Sequence, residues 1–150
     1  MIGWLLDTNV VSAISAVRPE PRVAKWIDIQ PEYTLFLSIL TLAEYRKGIA
    51  HLPTGNKMRP SLEQLVAGLE SRFYSRILSV SDAIALRWGK TSGEIKRSTG
   101  HSPAVIDTML AATAIEHNLY LATRNVTHVA NSGALVYNPS KDDPASFPLR

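Results

Sequence analysis

The sequence predicts an α/β fold: a doubly wound, mainly parallel central sheet of about five strands flanked by helices. Two observations carry this expectation. Five short apolar or β-rich runs recur along the 150 residues, and they are near-continuous in apolar character, as strands covered on both faces are. Longer helical patterns lie between them, the arrangement that gives parallel strands joined by crossover helices.

The first strand is expected over residues 2–6, with a short helix just after Asp7 and a second helix over 22–29. A strand over 34–38 follows, then helices over 41–52 and 61–74, the latter opened by Ser61 and Gln64 as a capping box. A third strand over 76–80 leads into a helix over 81–96 with Ser81 as its N-cap. The next helix, 103–117, is expected to start from Ser102, with Pro103 at its first position. Strands over 119–123 and 134–137 complete the sheet. No repeat, low-complexity tract or linker divides the chain, so residues 1–138 read as one domain and 139–150 as a C-terminal tail.

Composition narrows the function. The chain has 45% hydrophobic and 19% charged residues and no cysteine, which suits a globular domain without disulfides or thiolate metal sites. No apolar run reaches the roughly 18 residues that span a bilayer, and the first residues lack a basic export signal. A soluble cytoplasmic protein with no membrane partner is expected. The net charge of +3 is compatible with a polyanionic partner but too mild to identify one.

The opening run ends abruptly on Asp7, Thr8 and Asn9. A carboxylate directly behind an apolar strand is costly to bury without compensation. In doubly wound sheets ligands gather at the carboxyl ends of the strands, which is where Asp7 falls. The same rule brings in Glu44, in the helix after the second strand, and Asp107, early in the helix before the fourth. Asp107, Ala111 and Ala114 share one helical face, and small alanines draw that face close to its neighbour. Three converging carboxylates repel one another, and a hard divalent cation is the simplest compensation. Each acid also has a structural reading: Thr41 with Glu44 as a capping box, Asp7 as an Asx-type turn, and Asp107 as half of a buried pair with Arg or Lys.

The stretches LLDTNVVSAI, LSILTLAEYRKGI, IDTMLAATAIEHNLYLATRNV and ALVYNP, in this order, resemble the PIN-domain nucleases, and specifically the VapC type of toxin from bacterial toxin–antitoxin pairs. The resemblance implies a three-layer PIN-domain-like fold. It implies that Asp7, Glu44 and Asp107 bind Mg²⁺ or Mn²⁺ and cleave RNA by metal-activated water. It further implies a homodimer and a cognate VapB-type antitoxin that blocks the site. The pattern departs at its fourth acidic position, where an acid is common at Asn125 or His128 and neither is acidic here. Asn125 can offer a carbonyl oxygen to the metal, and His128 an imidazole. Thr123 can orient a water or carboxylate, while Asn9 and Arg46 are further candidates for substrate contact.

The rim is expected to draw on Arg46 and Lys47, Lys57 and Arg59, or Lys96 and Arg97. Leu62, Leu65, Val66 and Leu69 at helical spacing offer an apolar stripe for a dimer, or for the monomer's own core. A phosphatase of the haloacid dehalogenase type would need a second acid at Asn9, and a receiver-type phosphoacceptor needs an acidic pair near the start. Both fail on the residues present. The remaining alternative is a PIN domain that binds RNA or an antitoxin without cleaving.

Overall fold

The computed structural model describes residues 1–150. Its five strands are β1 (Trp4–Leu6), β2 (Leu35–Ser38), β3 (Ile77–Leu78), β4 (Tyr120–Ala122) and β5 (Val136–Tyr137). They form one sheet in the order β3-β2-β1-β4-β5, and every neighbouring pair is parallel. All five expected strands are present, each trimmed by at least one residue. The helices are α1 (Thr8–Ser15), α2 (Pro21–Ile29), α3 (Ile39–His51), α4 (Met58–Arg72), α5 (Asp82–Thr99), α6 (Val105–Glu116) and α7 (Val126–Val129). No helix is long and apolar enough to cross a membrane.

Alternation along the strands divides the core into the outer two layers of an α/β/α sandwich. Trp4, Leu6, Leu35, Leu37, Tyr120, Ala122 and Tyr137 point to one face, where they pack with residues of α1 to α4. Leu5, Leu121 and Leu119 point to the other, against Leu110, Ala111 and Ala114 of α6 and Val129 of α7. Alanines on α6 admit that helix closely to the sheet, as expected. Val66 and Leu69 are buried in the larger core of this same chain, and Leu62 and Leu65 pack half-buried against its edge, so at least half of the apolar stripe serves the monomer's own core.

Local signals decide the helix ends. Ser38 caps α3, its hydroxyl accepting from the Leu40 N–H at 3.1 Å, and Ser81 caps α5 as expected, accepting from Ile84 N–H at 3.3 Å. Helix α5 runs three residues beyond the expected end and stops at Gly100, whose φ of 79° no branched side chain adopts readily. Two expectations need correction. The Asn56 side chain receives the Met58 N–H at 2.9 Å, so α4 begins earlier and Ser61 lies inside it, its hydroxyl donating to the Met58 carbonyl. Helix α6 begins at Val105 rather than at Pro103, since Ala104 is extended and its carbonyl accepts the first helical bond, from the Thr108 N–H at 3.1 Å, and the Thr108 hydroxyl as well. Gly3, just before β1, is required by proximity: a Cβ there would lie 2.3 Å from the Thr34 carbonyl oxygen.

Residues 139–150 pack onto the domain. Phe147 stacks among Trp4, Tyr120 and Tyr137, the Tyr120 hydroxyl donates to the Pro148 carbonyl, and the Arg150 N–H donates to the Met1 carbonyl.

Candidate active site

In this strand order the chain leaves β1 toward β2 on one side and returns at β4 on the other. The crevice between the carboxyl ends of β1 and β4 is therefore the topological switch point, where such sheets bind ligands. Asp7 follows β1 and Thr123 follows β4, so both stand at this crevice. Asp7 occupies the N-cap position of α1 yet makes no side-chain capping bond, which removes the Asx-turn reading. Its Oδ2 instead accepts from the Thr123 hydroxyl at 2.6 Å and the Asn9 amide at 2.8 Å. The Asn9 amide also reaches the Thr123 Oγ1 at 3.0 Å. These bonds orient a carboxylate that is only 6% exposed.

Glu44 is on the second turn of α3, beyond the Ser38 cap, so the Thr41 capping box does not form and its carboxylate remains available. Asp107 lies in the first turn of α6, with a side chain 19% exposed. Its partner is His128, whose Nδ1 is 3.1 Å from the Asp107 Oδ2, rather than the Arg or Lys of the buried-pair reading. The short helix α7 sets His128 in that place.

Asp7, Glu44 and Asp107 line one cavity of about 790 Å³, together with Asn9, Arg124 and Asn125. The three acids face this space without closing into a finished cage around one point. Their fields nevertheless overlap. Burial pushes the Asp7 carboxyl above the ordinary carboxylate range; the Thr123 hydroxyl opposes the rise and the Asp107 charge adds to it. Burial likewise raises Glu44, reinforced by the charge of Asp7. No Lys or Arg forms an ion pair with any of the three. Mutually repelling oxygen donors around one polar cavity, none of them in an ion pair with Lys or Arg, fit a hard divalent ion by the chemistry of the donor set.

The other candidates divide. Asn125 lines the cavity, its N–H donating to the Thr123 Oγ1 at 3.0 Å, while His128 meets Asp107. Arg46 turns away to Glu70 at 3.2 Å and lies outside the lining. Arg18 and Arg124 border the cavity instead. Arg124 had a signal, since it directly follows Thr123 at the end of a strand. Arg18 had none, because its place depends on how the α1–α2 connection folds.

The profile of the family described as PIN domain matches residues 4–129. Toxin FitB of Neisseria gonorrhoeae is 34% identical over 92% of this chain and 99% of its own length. The VapC ribonuclease Y4jK of Sinorhizobium fredii is 33% identical over 90% of this chain and 96% of its own. The crystal structure of FitAcB from Neisseria gonorrhoeae superposes with a TM-score of 0.79 at 33% identity, covering 91% of this chain and 97% of that one.

Proposed function

The chain belongs to the PIN-domain family, and from that premise we propose that it is an Mg²⁺- or Mn²⁺-dependent endoribonuclease, the toxin of a toxin–antitoxin pair. The observation that carries the reading is Asp7: an oriented carboxylate, 6% exposed, without a cationic partner, sharing its cavity with Glu44 and Asp107. A structural acid in that position would have been paired or replaced, because burying it uncompensated opposes folding. The relatives' names, a ribonuclease and a toxin, support the same class.

Asp7, Glu44 and Asp107 would hold the ion, with Asn125 beside them as a neutral oxygen donor. A bound divalent ion supplies Lewis-acid polarisation of the phosphate and lowers the pKa of water. The protein's own residues prepare the site. Thr123 and Asn9 fix the Asp7 carboxylate through three hydrogen bonds among the trio. His128 fixes Asp107 from the solvent side. Water would attack phosphorus in line and lose its proton to solvent, while the P–O bond to the 3′ or 5′ oxygen breaks and that oxygen takes up a proton from solvent; the step needs no covalent intermediate. The carboxylates restrict the reaction to the cavity, and the cation–acid balance leaves Arg124 and Arg18 at its border for substrate phosphate.

A VapB-type antitoxin that covers this cavity completes the reading, supported by the likeness to a protein named as a toxin; a homodimeric state and a cytoplasmic location belong to the same proposal and rest on the family resemblance of the sequence alone. The test is cleavage of a panel of structured RNAs by the purified protein with Mg²⁺, with Mn²⁺ and with chelator, beside Asp7→Asn and Asp107→Asn. Metal-dependent cutting by the parent, lost in both variants with circular dichroism unchanged, is the expected result. Cutting at the parental rate by either variant overturns the assignment, and RNA that is shifted in a gel but stays intact favours a binding module.

A further inference from the structure

The acidic cavity does not end at Arg124. Asn9, Arg124 and Asn125 are shared with an adjoining cavity of about 360 Å³, whose remaining wall is Asn138, Ser140 and Lys141, with no apolar residue. Arg124, Asn138 and Lys141 continue into a third space of about 350 Å³. Together these make a continuous polar trough from the carboxylates to the turn after β5. A single scissile phosphate needs only the first cavity.

Both walls are built rather than loose. On one side the Arg124 N–H donates to the Asn9 Oδ1 at 2.9 Å, so the strap that carries Arg124 is tied to the residue that orients Asp7. On the other, Arg22 of α2 donates to the carbonyls of Lys141 at 2.9 Å and Asp142 at 3.1 Å. The Asn138 N–H closes the turn on the Asp142 Oδ2 at 2.8 Å, which occupies the one carboxylate on the outer wall. The cations themselves are uncommitted: neither Arg124 nor Lys141 takes part in an ion pair, and both are exposed. The Ser140 Oγ is shielded from solvent and has no hydrogen-bond partner.

We propose that this trough, from Arg124 and Asn125 to Asn138, Ser140 and Lys141, binds the RNA strand on one side of the scissile phosphate. The inference rests on the endoribonuclease reading for its direction, since a strand whose reacting phosphate lies at the acids must leave through an adjoining opening. Arg124 and Lys141 meet backbone phosphates. The exposed amide of Asn125 offers a donor and an acceptor to ribose 2′-hydroxyls and base edges. An acidic peptide is less suited, because Val126 is the one apolar residue along the second and third spaces, too little wall to bury side chains.

The test is equilibrium binding of fluorescent single-stranded RNA of about 12 and about 3 nucleotides, in chelator so that no cleavage intervenes. Parent, Lys141→Gln, Lys141→Glu and the control Lys90→Glu are compared. Lys90, on α5, carries the same charge away from the trough and pairs only with Glu94. The expected result is roughly tenfold weaker binding of the long strand by Lys141→Glu, and a salt slope reduced by about 0.7 in Lys141→Gln, with the short strand and the Lys90 control unchanged. In metal, KM for the long strand should rise while kcat holds. Long-strand affinity and slope equal to the parent's, or an equal loss in Lys90→Glu, overturns the trough. A parent that binds but never cuts refutes the nuclease reading alone, and a parent that cuts with Lys141→Glu indistinguishable from it refutes the trough alone.

Discussion

Trp4 and Asp7 stand three residues apart, at the two ends of β1, and the protein treats them in opposite ways. Around Trp4 the neighbours are aromatic: ring centroids of Trp26, Tyr120 and Tyr137 lie 5.1, 5.0 and 4.8 Å away, and the Trp4 indole N–H donates to the Gln30 Oε1 at 3.1 Å. Around Asp7 the neighbours are two hydrogen-bonding polar side chains and two further carboxylates, and no Lys or Arg forms an ion pair with it. Aromatic pairs gain from both burial and quadrupole geometry, whereas each added acid raises the cost of its neighbours' charge. One end of the strand is built for stability and the other holds unfavourable electrostatics in reserve for a ligand.

The comparison is broken most severely by removing a charge at the acidic end. Asp7→Asn keeps the shape and can still accept from Thr123 and Asn9. It should therefore reduce RNA cleavage by about a thousandfold or more, in line with losing a ligand of a catalytic ion, while the melting temperature at neutral pH does not fall. Trp4→Ala should do the reverse, costing about 3–5 kcal/mol of stability in a denaturant titration and leaving the activity of the remaining folded fraction near the parent's. If Trp4→Ala lowered specific activity without lowering stability, the two ends of β1 would not be separable. Phe147→Ala probes the same cluster from the chain's other end. Phe147 is only partly buried, so its loss should cost about 2 kcal/mol, toward the low end for large core truncations. A cost near zero would mean that 139–150 adds nothing to the aromatic core.

These contrasts also explain what the sequence disclosed. The strands were legible because parallel strands covered on both faces leave unbroken apolar runs, and Asp7 was legible because it interrupts one. Glu44 and Asp107 followed from a rule about which ends of strands face the ligand. The helix α7 was not legible, since four residues cannot show a period. Nor was the direction of the Leu62, Leu65, Val66 and Leu69 stripe, because an apolar face has the same spacing whether it covers its own core or a second chain. Arg46 looked like a site residue by proximity in sequence to Glu44, but two residues along a helix rotate a side chain by more than half a turn, and it meets Glu70 instead. The pairing of Arg124 with Lys141 across the trough, and the docking of Phe147, depend on contacts between distant segments that no local pattern encodes.

A smaller effect tests how the pocket manages its charge. Asn125 lines the cavity, so Asn125→Asp adds a fourth acid and should lower the metal concentration for half-maximal cleavage by roughly tenfold, about 1–2 kcal/mol after desolvation offsets part of the attraction. His128→Asp removes the imidazole that meets Asp107 and places a like charge against it, and should disturb Asp107 more than it helps the ion. Metal titrations of cleavage for both variants decide; a midpoint unmoved by Asn125→Asp would place that residue outside the ion's reach.

The most delicate prediction concerns stability against pH, without added metal. Asp7 and Glu44 both titrate above the ordinary carboxylate range in the folded chain. A raised acid pKa means that, between the unfolded and folded values, the native state holds more protons than the unfolded one, so stability falls as pH rises through that window. Their contribution is therefore fully favourable below the ordinary carboxylate value and is lost as pH passes the raised one. Glu32 has the opposite sign: Arg72 and Arg76 hold it at about 2, so its support is present above the ordinary value and lost as pH falls toward 2. The two windows lie on opposite sides of the ordinary carboxylate pKa, so they separate cleanly. Asp7→Asn removes one of the first group and leaves Glu32 untouched. The melting temperature of Asp7→Asn minus that of the parent should then increase steadily from about pH 4 to neutrality, and added Mg²⁺ should diminish the difference by binding the ionised parent preferentially. Differential scanning calorimetry across that range reads it directly, and a difference that stays flat with pH would mean that Asp7 is ionised at no net cost in the folded protein.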